Sequence, residues 1–227
     1  AEDTVRDYIY QKSLFPASLP LTGETLAIEQ AVARQALRMA MQQAAARWPG
    51  LPPAFEPVLA TGATLSQAVS PGQALLMLLD GLQPAGVTTF YLDQNNLLPS
   101  LGAAAGFNAM LPVQVIDSGA LLNLGTVICP VSPARYGSLI LKTTLTYKDG
   151  GAHRAEIKQG TLTVLPLQPG QTATLALEPV RRVEIDPHRK DGARVFKITG
   201  GHRLRAVGHR RVDLDAAVHR PRMHHQG

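Results

Sequence analysis

The fold is decided by Pro57-Val-Leu-Ala-Thr-Gly-Ala-Thr64, followed by Ser70-Pro-Gly-Gln73 and then by Val87-Thr-Thr-Phe-Tyr-Leu-Asp93. Val58, Leu59 and Ala60 form a short apolar run that ends in a turn of small residues, Thr61 to Thr64. Ser70 stands directly before Pro71, with Gln73 three positions on. That is the pattern of an N-cap, a first-position proline and a capping box, so a helix is expected from there to about Gly81. Val87 to Asp93 is rich in β-branched and aromatic residues and reads as a second strand. Strand, helix and strand in so short a span indicate an α/β layer.

Upstream of this core, Thr25 to Trp48 reads as the longest helix, stopped by Pro49-Gly50 and Pro52-Pro53. Its expected apolar stripe is Ile28, Ala31, Val32, Ala36 and Met39, with Arg34, Arg38 and Gln42 on the exposed side. The first 20 residues, with Tyr8, Ile9, Tyr10, Leu14 and Phe15 before Pro16 and Pro20, read as an extended or irregular lead-in. Downstream, Asn95 or Asn96 is placed to cap a helix through Leu101 to Ala105, ended by Gly106.

After about Leu111 the pattern changes to strand-like runs: Val113–Ile116, Ser138–Tyr147, Ala155–Lys158, Thr161–Leu165, Thr172–Leu177, Arg182–Ile185 and Arg194–Thr199. Asp149-Gly150-Gly151, Pro169-Gly170 and Asp191-Gly192 punctuate them as turns. The reading is therefore an α/β portion over residues 1–110, a mostly antiparallel β domain over 111–201 and a tail over 202–227.

Composition narrows the class. With 45% hydrophobic and 17% charged residues the chain is that of a folded globular protein, not of a disordered one. The most apolar run, Ala74 to Leu79, is broken at once by Asp80 and Gly81, far short of the roughly 20 residues a bilayer requires. The first residues show neither a basic leader nor an apolar segment, and the single cysteine, Cys129, has no partner for an internal disulfide. A cytoplasmic setting is the expectation, with Cys129 buried and inert. The net charge is +5, but six arginines after His202 stand against only Asp213 and Asp215, so the body is close to neutral. A general basic footprint for nucleic acid is thus missing. The tail, with His202, His209, His219, His224 and His225, matches no standard zinc spacing and reads as a disordered basic segment or an out-of-frame extension.

Three groupings have chemical potential. The Thr61-Gly62-Ala63-Thr64 turn lets a backbone approach a nucleotide closely, though a plain strand-to-helix turn would look the same. Asp93, with Asn95 and Asn96 following, suits a polar ligand or metal, or else simply caps the next helix. Asp117-Ser118 with a histidine would suggest a hydrolase, but no Gly-x-Ser-x-Gly elbow accompanies it.

Several blocks, in order, resemble the C-terminal part of the glutamate mutase L family. They are Val5–Lys12, Pro16–Pro20, Ile28–Arg34, Leu59-Ala-Thr-Gly-Ala-Thr-Leu65, Leu79–Pro84, Leu92–Gly102 and Leu124–Val127. This is the MutL associated with cobalamin-dependent glutamate mutase. The resemblance implies an actin-like ATP-binding fold and a role as chaperone or reactivator, with glutamate mutase subunits as partners. It puts Thr61, Gly62, Ala63 and Thr64 where the adenosine-contacting turn belongs, with Ala63 standing where the pattern usually has a second glycine. It also puts the phosphate loops upstream, so no hydrolysis is expected from these residues alone. The competing reading is an interaction module in which the β domain binds a partner and the turn binds nothing.

Overall fold

The computed structural model describes residues 2–49, 55–168, 171–185, 195–199 and 204–207. The chain is mixed α/β, as expected, and its strands form two sheets. Six helices are described: α1 (Glu2–Leu14), α2 (Gly23–Arg47), α3 (Ala63–Ser66), α4 (Pro71–Leu82), α5 (Leu98–Ala105) and α6 (Met110–Asp117). The strands are β1 (Val58–Thr61), β2 (Gly86–Asp93), β3 (Leu122–Cys129), β4 (Leu139–Tyr147), β5 (Ala152–Lys158), β6 (Leu162–Leu165), β7 (Thr172–Pro179), β8 (Val195–Thr199) and β9 (Leu204–Val207). One sheet runs β1-β2-β3-β9-β6 and the other β5-β4-β7-β8.

The strand–helix–strand passage forms as its residues dictate. Ser70 Oγ accepts the Gln73 amide and Pro71 fills the first helical position, where its missing N–H costs nothing. Gln73 folds back to take the Val69 amide. From this start α4 buries Ala74, Leu75, Met77, Leu78 and Leu79 and is the central helix of the first core. β1 and β2 pair in parallel, with Thr61 opposite Asp93 at their carboxyl ends. The same core takes Phe90 and Leu92 from β2 and Leu124, Val127 and Cys129 from β3.

The second core is built on the antiparallel sheet and takes Ile128 and Leu165 from the other sheet. Ile140, Leu141 and Leu145 of β4 and Ala173, Leu175 and Leu177 of β7 interleave with Ile157 and Leu165. The Asp149-Gly150-Gly151 turn joins β4 to β5 as its sequence demands: Gly150 has φ 87°, and the Gly151 amide donates to Asp149 Oδ1.

Five expectations are corrected. Residues 2–14 are helical, not an extended or irregular lead-in: Glu2 and Asp3 open α1 and Lys12 closes it, complementing the helix dipole. Val113–Ile116 lies in α6, where no alternation of faces is in play. Arg182–Ile185 is not a strand but supplies one bridge, Glu184 to Val131. Leu122–Cys129, not foreseen as a strand because Asn123 and Gly125 interrupt it, pairs antiparallel with β2 and extends the first sheet beyond residue 110. Finally, the tail expected to lack structure contributes β9, parallel to β3 and antiparallel to β6. The Pro169-Gly170 and Asp191-Gly192 turns and all five tail histidines lie outside the described residues.

The face of α2 is reversed as well. Val32 is 41% and Met39 49% exposed, while Ala33 and Leu37 pack on the first core. The residues one turn apart on that inner side are Glu29, Ala33 and Leu37, flanked by Gln30, Arg34 and Arg38. α4 takes up part of their polar groups, while Gln30 Nε2 and Arg38 Nε are buried without a hydrogen-bond partner among the described residues. Arg34 bonds Asp80 Oδ2 at 3.1 Å, Arg38 donates to the Asp80 carbonyl, and Gln73 donates to Gln30 at 2.7 Å. Polar residues can face inward when a neighbouring helix offers them partners, which hydropathy alone does not reveal.

α4 meets α2 closely at Gly81, where an added Cβ would stand 2.6 Å from Leu37 Cβ. An alanine there would gain up to about 1 kcal/mol of helix propensity. The overlap outweighs that gain, because a Cβ cannot swing aside. Gly81→Ala is expected to lower stability by about 1–3 kcal/mol in urea unfolding.

Candidate functional site

The Thr61–Thr64 turn sits at the carboxyl end of β1 and opens α3. Gly62 has φ 115° and ψ 147°, a conformation side chains avoid, and its carbonyl accepts the Leu65 and Ser66 amides at 3.1 and 3.0 Å. A Cβ built on Gly62 would meet nothing within 4 Å. The glycine is therefore required by its backbone angle, and the space beyond it is open. No side chain caps the start of α3, and Ala63 is exposed there.

Each threonine of the turn is tied to a buried carboxylate on another element. The Thr61 hydroxyl is shared between Asp93 Oδ2 at 3.4 Å and Asn96 Oδ1 at 3.3 Å. Asp93, 1% exposed, also accepts the Leu98 amide at 2.8 Å and the Asn95 amide at 3.3 Å. It thus serves as the cap for the start of α5, the simpler of its two readings, and neither asparagine caps that helix with its side chain. Asn96 instead adopts a left-handed turn with φ 54°, a conformation asparagine tolerates well. Burial alone pushes the Asp93 carboxyl up; the amides of Leu98, Leu97 and Asn95 and the Thr61 hydroxyl together outweigh it and hold the group below its ordinary value.

The Thr64 hydroxyl donates to Glu29 Oε1 at 2.9 Å. Glu29, 8% exposed on α2, receives Tyr8 OH and, at 3.1 Å, Lys12 Nζ on its other oxygen. Here too burial raises the carboxyl, while the Tyr8, Lys12 and Thr64 bonds and the Lys12 charge bring it below its usual range. Burial and the adjoining carboxylate push the Tyr8 phenol up to about 12, so it remains a donor at any ordinary pH. Glu29, Tyr8 and Lys12 were not singled out from sequence, although a glutamate in helical step with Ala33 and Leu37 was a readable signal.

The other groupings do not assemble. Ser118 Oγ donates to the Val115 carbonyl at 2.7 Å, the ordinary bond of a helix end, and the structure gives it no catalytic neighbour among the described residues. Cys129 is buried and its thiol is pushed up to about 12 by burial. Among the described residues no group of three or more His, Cys, Asp or Glu is arranged to hold a metal, and no helix is long and apolar enough to cross a membrane.

The fold and site define a mixed α/β protein with an open glycine turn at the carboxyl ends of two parallel strands, clamped by two ionised carboxylates. The family model described as MutL protein matches residues 1–119, more than half of the 227-residue chain, and the chain belongs to that family, glutamate mutase L. No curated protein and no solved structure matches it.

Both carboxylates titrate lower in the folded protein than in the unfolded chain. Their contribution is complete above the ordinary values of 4.5 and 3.8, shrinks as the pH falls below them, and is gone once the folded groups protonate. Asp93→Asn is expected to cost about 1–3 kcal/mol at neutral pH, because its side-chain NH2 must oppose either the Leu98 or the Asn95 N–H. It should also flatten the acid limb of stability, measured by urea unfolding across a pH series.

Proposed function

We propose that this chain supplies the adenosine side of an ATP site in a reactivating factor, or chaperone, for a cobalamin-dependent glutamate mutase, in the cytoplasm. The family to which it belongs is associated with glutamate mutase. The proposal extends that association to an ATP-driven change of shape within an actin-like fold, with the mutase subunits as partners. The observation that carries it is the open turn at Gly62. Ligands of α/β sheets bind outside the carboxyl ends of the strands, where Thr61 and Asp93 stand side by side here. Gly62 leaves free space at that edge.

Charge supports the choice of which part of ATP would lie there. Asp93 and Glu29 are both held ionised beside the turn, which disfavours a phosphate and suits the hydroxyl- and amine-bearing part of a nucleotide. In this reading Gly62 and Ala63 admit the nucleotide, Thr61 and Thr64 line the turn, and the two carboxylates keep those threonines in position. The phosphate-binding groups come from elsewhere in the protein, so the 227-residue chain by itself turns over no ATP.

One observation favours the competing reading of an interaction module without nucleotide. Residues 94–116 carry no charged side chain, and α5 and α6 bury none of their residues. Phe107, between the two helices, is 97% exposed. An apolar hairpin of this kind suits protein contacts.

A bulky residue in the turn separates the two. Gly62 is unsuitable, because any side chain there is strained by the φ of 115° alone. Ala63→Trp, at an exposed position, is expected to weaken ATP binding by roughly tenfold or more, a loss of about 1.4 kcal/mol or greater. The melting profile should stay native, with affinity measured by calorimetry on the intact protein. Unchanged affinity would select the interaction module.

A further inference from the structure

Tyr8 and Lys12 are the two residues of α1 that are half-buried, while Val5 and Ile9 are 38% and 46% exposed. Both reach the same group, donating to Glu29 Oε2. Lys12 also donates to the Ser18 carbonyl, drawing the connection to α2 over the same point. An isolated helix of this length is marginal in water, and α1 buries no apolar side chain. Its attachment to the rest of the molecule therefore rests largely on one carboxylate. The other oxygen of that carboxylate is bonded to Thr64, in the turn.

A single side chain thus has one oxygen on the N-terminal helix and the other on the turn. Fixing the Glu29 rotamer costs conformational entropy, and that cost is shared by all its donors. While Thr64 holds the carboxylate, Tyr8 and Lys12 meet an acceptor already aimed at them; without Thr64 they must order it themselves. Bonds that share a buried acceptor support one another in this way.

We propose that α1 is a strap whose docking is coupled, through Glu29, to the conformation of the 61–64 turn. Any occupant that draws the Thr64 hydroxyl away from Glu29 loosens the strap, and release of the strap in turn frees Thr64. The coupling stands on the protein's own bonds and does not depend on which ligand the turn takes.

Amide hydrogen exchange of the full chain, without nucleotide, tests it. Thr64→Val removes the hydroxyl and keeps the shape. It is expected to speed exchange across residues 2–14 by roughly two- to fivefold, the size of coupling within one hydrogen-bond network. Thr64→Ser, which keeps the hydroxyl, should leave α1 near its native rate. Tyr8→Phe should act in the reverse direction and speed the Leu65 and Ser66 amides, which bond the Gly62 carbonyl. Glu29→Gln should loosen both segments. The proposal is overturned if Thr64→Val leaves α1 unchanged while Glu29→Gln loosens it, because strap and turn would then be held separately. It is equally overturned if Thr64→Ser loosens α1 as much as the valine does, since packing and not the hydroxyl would be responsible. Should Thr64→Val fail to fold, the serine variant and the effect of Tyr8→Phe on the turn still decide the matter.

Discussion

A carboxylate removed from water must have its oxygens filled, and Asp93 fills them from three directions at once. Its own β2 strand brings it level with Thr61 of β1; the chain beyond folds back to offer the Asn95 and Leu98 amides. One buried charge therefore sets where β2 stops, how the chain turns through Asn96 and where α5 begins. It also pins the last residue of β1, and with it the point at which the Gly62 turn departs. Unfilled, the same charge would be costly enough to force the group neutral or the region open.

Glu29 repeats the arrangement on the other side of the turn. It comes from α2, which reaches the first core through Ala33 and Leu37 and lies against α4 through the Arg34–Asp80 and Gln30–Gln73 bonds. The turn is thus not held by its own short helix, which has no capping side chain, but by two carboxylates on rigid neighbours. A site built in this way has fixed walls and an open mouth, since the clamps grip the threonines and leave Gly62 and Ala63 facing free space. The exposed Arg6 pairs with Glu2 and Asp3, by contrast, have little to do with this rigidity, because water screens them.

The two cores meet at β3. Its Val127 and Cys129 face the helices of the first core, while Ile128 joins the second core of the antiparallel sheet. Alternation along one strand therefore makes it a shared wall, buried on both faces. That is why a segment interrupted by Asn123 and Gly125 still forms a strand: tertiary burial on two sides outweighs its weak local preference.

Local chemistry was enough to determine the elements whose signals are complete within a few residues. Ser70-Pro71-Gly72-Gln73 determined the start of α4, Val87–Asp93 determined β2, Asp149-Gly150-Gly151 determined a hairpin, and the order of the short blocks determined the family. Caps, turns and β-branched runs act through neighbours in sequence, so they are legible there. Tertiary structure alone decided the inward face of α2 and the pairing of β3 and β9. It also decided the assignment of Glu29 to Thr64, Tyr8 and Lys12. In each case the deciding partner comes from a distant element, a strand or core for β3 and β9 and a polar group for Glu29. A buried carboxylate is held charged by donors from distant elements, as Thr64 serves Glu29 across 35 positions, and no local pattern records that partner.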